Sequence, residues 1–347
     1  MKEVAIITDK FGMSFSKVAR DLALAFSKHG ADVKVMDWRY IQVDKLPKNV
    51  IQFGALQYDV LNYASKIAGK RNMVLYLTAE GECETDFTLK KMINEHAHVL
   101  AVSNYVKRKI EEQGIKVDEV VYHGVDLSDK SIDEDWLNGL KSDIGDKVVF
   151  LNISENGIRK ALDRLLFIYK MLHHVLLDSF LILHSYSDGF YKLRDIASNI
   201  QLKNFWITDL MTPELALTDK QINTLYYLAS QSKGLYLVSS MSEGFCIPII
   251  EAFKFGLPVV APALPPIEEI VGDTKAGLLI PVTDVFKVPY MKRYKYEMHD
   301  YDIDMYVEGV LSIFFNRMWN EMHRDALERV KHFDMYRNYG RIVEYFV

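Results

Sequence analysis

At 347 residues the chain exceeds one ordinary core and suits two, at roughly 100–200 residues per domain. With 49% hydrophobic and 26% charged residues it reads as globular rather than disordered, and a formal net charge of -5 argues against nucleic acid, whose phosphates demand a clustered basic excess. The two cysteines, Cys83 and Cys246, are far apart and form no Cys/His zinc pattern, which fits a reduced cytoplasmic setting. Met1-Lys2-Glu3 leads into an apolar stretch too short for a signal peptide, and no run approaches the roughly 18 apolar residues of a spanning helix.

In chain order, residues 4–8 predict a strand, 15–28 an amphipathic helix ending at Gly30, and 33–36 a second strand, a βαβ opening. The loop after the first strand carries one glycine, Gly12, where a G-x-G-x-x-G fingerprint needs three, so NAD or FAD is disfavoured and no cofactor is expected. Strands at 73–77, 99–102 and 120–122 interleave with helices at 59–68, 88–96 and 104–113, the last closed by Gly114. Glu80 follows the apolar strand 73–77 and should open at its carboxyl end. Residues 126–147 are polar and weakly periodic, which predicts the connection between an N-terminal domain, 1–135, and a C-terminal one, 147–331.

A second alternation follows, with strands at 148–153, 180–184, 205–208 and 235–238 and helices at 161–176 and 220–229. Strand and helix in strict alternation predict an α/β protein of two doubly wound, Rossmann-like parallel-sheet domains facing across a cleft, with ligands at the carboxyl ends of the strands. The most informative stretch is 239–261, SSMSEGFCIPIIEAFKFGLPVVA, which reads as strand, loop, short helix and strand. Pro248 suits the first helical turn, and Gly256 with Pro258 suits a stop. Approached through Gly244, Phe245, Cys246 and Ile247, the helix start offers backbone N–H groups and a positive dipole end to phosphate. Glu243 precedes the helix and Glu251 lies within it.

This segment resembles the retaining GT-B glycosyltransferases of family 4, also called glycosyltransferase group 1, which carry E-G-F-G-x-P-x-x-E-A-x-x-x-G-x-P-V-V-A; Cys246 stands at the second glycine. The resemblance implies that Glu243 contacts hydroxyls of a donor sugar, that Glu251 binds the ribose of its nucleotide, and that the backbone from Gly244 to Ile247 meets the donor. It also implies that Arg159 and Lys160, in the stretch FLNISENGIRK, carry the donor pyrophosphate without a metal ion. Glu155 stands where the family often has an arginine, so Arg159 is the substitute for the second cation. The loop at Gly12 would approach the donor phosphates from across the cleft, and Glu80 would contact the reacting sugar or position the acceptor. Weaker likenesses at 102–107, 123–126, 265–273 and 276–279 extend the resemblance from about residue 4 to 280, and residues 332–347 are expected to cross back to the first domain.

Asp133-Glu134-Asp135 and Asp302-Ile303-Asp304 match the metal-binding D-x-D of the unrelated GT-A transferases, but neither follows a buried strand, so no metal site is expected. His29, His184 and His332 read as packed, capping or solvated residues. Lys107-Arg108-Lys109 and the basic run 287–295 read as solvated faces, with a peripheral membrane contact or an oligomer interface as alternatives. The implied activity is retaining transfer of a hexose from a UDP- or GDP-linked sugar to a hydroxyl acceptor, whether a glycan, lipid-linked or protein-linked. Two rival readings stay open: an epimerase or hydrolase acting on the same donor, and a catalytically silent sugar-nucleotide-binding scaffold.

Overall fold

The computed structural model describes residues 3–9, 13–210 and 217–346. In the first half, strands β1 (Glu3–Thr8), β2 (Asp32–Asp37), β3 (Asn49–Ala55), β4 (Asn72–Thr78), β6 (His98–Ala101) and β7 (Glu119–Val120) form one sheet; a short β5 (Gly81–Cys83) stands outside it. The order is β2-β1-β3-β4-β6-β7 and every pairing is parallel. Strands such as β1 and β4 bury continuous apolar runs, Val4 to Ile7 and Met73 to Leu77, because helices cover both faces of a parallel sheet. Strand β3 is absent from the sequence prediction. Gln52 interrupts its apolar run, yet it is only 3% exposed and its Nε2 donates to the Val60 carbonyl at 2.9 Å.

The second half repeats the plan with β8 (Val148–Ile153), β9 (Ser179–His184), β10 (Phe205–Ile207), β11 (Leu235–Leu237), β12 (Val259–Pro262) and β13 (Gly277–Ile280). They are parallel in the order β10-β9-β8-β11-β12-β13. Ranked by sequence this is 3-2-1-4-5-6, the doubly wound dinucleotide-binding order, with its switch point between β8 and β11. The first sheet ranks 2-1-3-4-5-6 and switches between β1 and β3. Each sheet therefore has a crevice at the carboxyl ends of two neighbouring strands.

Residues 126–147 are not wholly irregular. They include a helix, Glu134–Ile144, capped by Asp133, whose carboxylate accepts from the Trp136 N–H, and it buries Leu137, Leu140 and Ile144 beside the helix Asp219–Gln231. That apolar spacing is helical, but the acidic residues around it diluted the signal. Asp302 likewise caps the helix Ile303–Phe315. Both D-x-D triplets are thus helix starts, where acidic residues favour the dipole.

The basic run 287–295 lies in an antiparallel hairpin, β14 (Val282–Met291) and β15 (Tyr294–Tyr301). Its second strand pairs with β5, so a small sheet ties the second half to the first. The approach is close: a Cβ at Gly81 would lie 2.0 Å from the Lys295 carbonyl oxygen. A second tie lies where the chain crosses between halves. Val125 N–H donates to the Phe333 carbonyl at 2.8 Å and Met335 N–H to the Val125 carbonyl at 3.1 Å. The final helix Met335–Val343 packs on the helix Met13–Lys28, and the Phe346 ring meets Phe26 at 6.0 Å. Among the described residues no helix is long and apolar enough to cross a membrane.

Candidate active site

The loops leaving β8 and β11 meet at the switch point of the second sheet. At the end of β8, Asn152 Nδ2 donates to the Leu237 carbonyl at 2.6 Å, holding the two strands in register. The chain then forms a 3-10 turn, Ile158–Lys160, and Ala161 takes a left-handed φ of 45° to enter the helix Leu162–Val175. The loop after β11 pins that turn: Met241 N–H donates to the Arg159 carbonyl at 2.8 Å and Ser239 Oγ to the Lys160 carbonyl at 2.7 Å. Backbone anchoring of this kind fixes two long cationic side chains before any ligand arrives.

Those side chains converge on Glu243. Lys160 Nζ lies 2.6 Å from its Oε1, and Arg159 Nη1 lies 3.0 Å from its Oε2. Glu243 is 5% exposed and Lys160 8%. Burial alone would raise the Glu243 carboxyl, but Lys160 and Arg159 overcome it and hold the group down at about 2. Arg159 also meets Glu155 at 3.1 Å and Glu80 at 3.9 Å, so one guanidinium sits among three carboxylates.

Glu80 comes from the first half, just past β4, and its backbone is held from the other side. Its carbonyl accepts from Ser242 Oγ at 2.7 Å and from the Glu297 N–H at 3.0 Å, while its own N–H donates to Tyr294 Oη at 3.1 Å. Burial pushes its carboxyl above the usual range against the pull of Arg159. Close by, Ser103 Oγ donates to the Gly244 carbonyl at 2.9 Å, and a Cβ at Gly244 would lie 2.1 Å from Thr78 Oγ1. Glycine is needed at 244 because the first half presses against it. Ser103, Ser242, Tyr294 and Glu297 were assigned no role from the sequence, since each acts through contacts between distant segments.

The motif helix spans Ile247–Lys254, with Ile247 half-buried at its start. Its N-cap, Cys246, has φ 83°, a left-handed conformation that costs an L-residue roughly 1–2 kcal/mol. The family glycine at this position thus has a conformational reason, and this chain keeps the backbone shape without it. Burial pushes the Cys246 thiol up, which makes it a poor nucleophile. The Phe245 ring packs into the crossover, 5.1 Å from His123, 6.0 Å from Tyr122 and 6.0 Å from Phe333, so that side chain serves packing.

Glu251 stands apart from the Glu243 cluster. It accepts from Tyr226 Oη at 2.9 Å and pairs across the halves with Lys17 Nζ at 3.5 Å; among the described residues it makes no ion pair with Arg159 or Lys160. Gly12 lies outside the described residues. His184 is buried with Nδ1 2.7 Å from Thr208 Oγ1, and burial holds it down at about 4. His123, given no role in the sequence reading, lies at the crossover with Nδ1 3.1 Å from both Tyr76 Oη and Tyr339 Oη, and burial lowers it to about 3. It is a neutral packing residue.

Residues 215–287 match the family described as glycosyl transferases group 1, a span that includes Glu243 and the motif helix. No curated protein sequence matches the chain. Among solved structures the chain is similar to Alr3699/HepE of Anabaena in complex with UDP and glucose, with 14% identity over 99% of this chain and 98% of that one and a TM-score of 0.73. It is also similar to sucrose-phosphate synthase from Thermosynechococcus elongatus, with 14% identity over 100% and 98% of the two chains and a TM-score of 0.73. A glycosyltransferase from Rickettsia africae gives 14% identity, 99% and 97% coverage and a TM-score of 0.68. At such identities the likeness carries the fold, and two facing doubly wound sheets with a C-terminal return define it as GT-B. The chain thus joins a GT-B fold to a segment, 215–287, that matches the group 1 glycosyl transferases.

Proposed function

We propose that the protein moves a hexose from a nucleoside diphosphate sugar to a hydroxyl acceptor with retention at the anomeric carbon. The observation that carries this reading is the convergence of Arg159, Lys160 and Glu243 at the switch point of the second sheet. As the glycosidic bond breaks, negative charge builds on the departing diphosphate, and two anchored cations meet it in a site of low dielectric. In this reading Arg159 and Lys160 do the work that a metal ion does in other transferases. Here Glu243 holds both cations; on donor binding the diphosphate takes over that role and the carboxylate accepts from sugar hydroxyls.

Glu80 faces this centre from the first half. A carboxyl raised by burial keeps a proton more readily than an exposed one, which suits a hydrogen bond to the reacting sugar or the incoming acceptor. Glu251, with Tyr226 and Lys17, is assigned to the nucleotide end of the donor, Gly12 to its phosphates, and the backbone from Gly244 to Ile247 to the sugar phosphate. UDP is preferred over GDP because the HepE structures hold UDP and glucose or UDP-glucose. In this reading the acceptor binds domain 1–135 and the donor domain 147–331. Phe286, Tyr290 and Met291 are exposed on β14 beside Lys287 and Lys292, a surface suited to a peripheral membrane contact if the acceptor is lipid-linked.

The test is product analysis with UDP-glucose, UDP-N-acetylglucosamine and GDP-mannose, with and without a panel of glycan and lipid-linked acceptors. Acceptor-dependent release of the nucleotide, with the donor's anomeric configuration kept in the product by NMR, is expected. Release without acceptor points instead to a hydrolase. The three carboxylates around Arg159 favour one second reading, a protein that binds the sugar nucleotide and turns nothing over; it is established if UDP binds and no product forms with any acceptor.

A further inference from the structure

A cavity of about 520 Å³ lies at the crossover, and none of its lining residues belongs to the Glu243 cluster. Three arginines reach it: Arg329 at the end of the helix Trp319–Arg329, and Arg337 and Arg341 on the final helix. Tyr122, His332 and Asn338 share the lining. The volume falls within the roughly 300–1,000 Å³ of small-molecule pockets.

Two of these three charges are not spent on carboxylates. Arg329 donates to the carbonyls of Ile270 and Glu269, each at 2.7 Å, and Arg337 to the His332 carbonyl at 2.6 Å. Neither pairs with a carboxylate among the described residues. Only Arg341 does, with Glu119, which also accepts from Tyr345 Oη at 3.0 Å. The Glu269 carboxylate near Tyr122 is already held by four donors: the N–H groups of Asn104 and Tyr105, Asn104 Nδ2 and Tyr122 Oη, at 2.8, 2.8, 2.9 and 3.1 Å. Like charges gathered into one cavity repel unless an anion joins them, and guanidinium groups match phosphate oxygens in planar, paired hydrogen bonds. The aromatic edge supplied by Tyr122 and Phe333, whose ring centroids lie 6.0 Å apart, adds an apolar wall that a bare inorganic ion would not use.

We propose that this cavity is a second ligand site, for a small phosphate monoester such as a phosphorylated sugar. The ligand would touch Tyr122 from the first half, Arg329 from the second and the returning helix, so its binding would bear on how the halves are held together. This inference does not depend on the reading of the Glu243 cluster.

The experiment is calorimetric titration of glucose 6-phosphate, with glucose and inorganic phosphate as comparison probes, into the full chain and two variants. Arg337→Gln with Arg341→Gln removes two charges of the cavity, and Lys160→Ala removes a charge of the other cluster. Glucose 6-phosphate is expected to bind the parent and Lys160→Ala alike, and at least about tenfold more weakly to the double variant, with inorganic phosphate weaker and glucose silent. Equal affinity in parent and double variant, loss of binding in Lys160→Ala, or no binding to the parent overturns the proposal. Both substituted arginines are solvent-exposed, and an unchanged thermal midpoint without ligand checks that the double variant is folded; if it is not, Arg337→Gln alone carries the same expectation.

Discussion

The two sheets follow related plans, 2-1-3-4-5-6 in the first half and 3-2-1-4-5-6 in the second, and each opens a crevice at its switch point. They are furnished differently. The second half lines its crevice with Arg159, Lys160 and Glu243, anchored by hydrogen bonds from Ser239 and Met241. The described part of the first half contributes one carboxylate, Glu80, and it is held in place by groups of the second: Ser242, Tyr294 and Glu297. One half thus builds a self-supporting charged site, and the other supplies a residue whose position depends on the junction. Substitutions in the second half should act locally, whereas those at the junction should act on both halves together.

The largest effect expected is on stability, from Glu243→Ala. It leaves Lys160 buried without its carboxylate and should cost about 3 kcal/mol, the lower end for a broken buried pair because Glu80 and Glu155 still face Arg159. Urea unfolding measures this, and saturating UDP should recover more stability in the variant than in the parent, since the diphosphate replaces the missing charge. Lys160→Ala, which leaves Glu243 its pair with Arg159, should cost less stability than Glu243→Ala and lower kcat by roughly 100- to 1,000-fold, the range seen when one preorganised oxyanion donor is lost. Glu80→Gln should lower it less. A larger loss in Glu80→Gln than in Lys160→Ala would invert the comparison between the halves.

The pH dependence of stability probes both halves through His123 and His184. Each is held below its unfolded value of roughly 6.5, at about 3 and about 4, because burial disfavours the charged ring. Between those values the unfolded chain binds a proton that the folded chain refuses. Stability is therefore complete above about pH 6.5 and falls as the pH drops, by about 2 kcal/mol per histidine at pH 5. Glu243, held at about 2, adds a loss only below its ordinary range. Urea midpoints at pH 7.5 and pH 5 measure the sum, and His123→Gln should flatten part of the slope. The smallest effect is Cys246→Gly, which relieves a left-handed residue and should raise stability by about 1 kcal/mol, less whatever packing the buried thiol supplies.

Legibility in the sequence tracked how local the determinants were. The loop and helix at 243–254 were readable because Gly244, Pro248, Gly256 and Pro258 punctuate them within a few residues. The turn that carries Arg159 and Lys160 was readable because an apolar strand ends before it and a helix opens after it, but their role came only from the resemblance. Strand β3 was lost to one buried glutamine, Gln52, whose partner is eight residues away. The hairpin escaped because β15 pairs with β5 from the opposite half, so its basic run looked like a solvated face. The partners of Glu251, Lys17 and Tyr226, come from two helices on opposite sides of the cleft, and no spacing rule could have joined them.

The most direct test of the charged site in the second half is calorimetric titration of UDP into the parent protein and into Lys160→Ala, at one pH and one salt concentration. Binding to the parent, weakened at least about tenfold by the substitution, is the expected result, as one charge-assisted contact to a diphosphate is lost. Equal affinity in the two proteins, or no binding of UDP or GDP to the parent, would contradict the assignment of Arg159 and Lys160 to the donor.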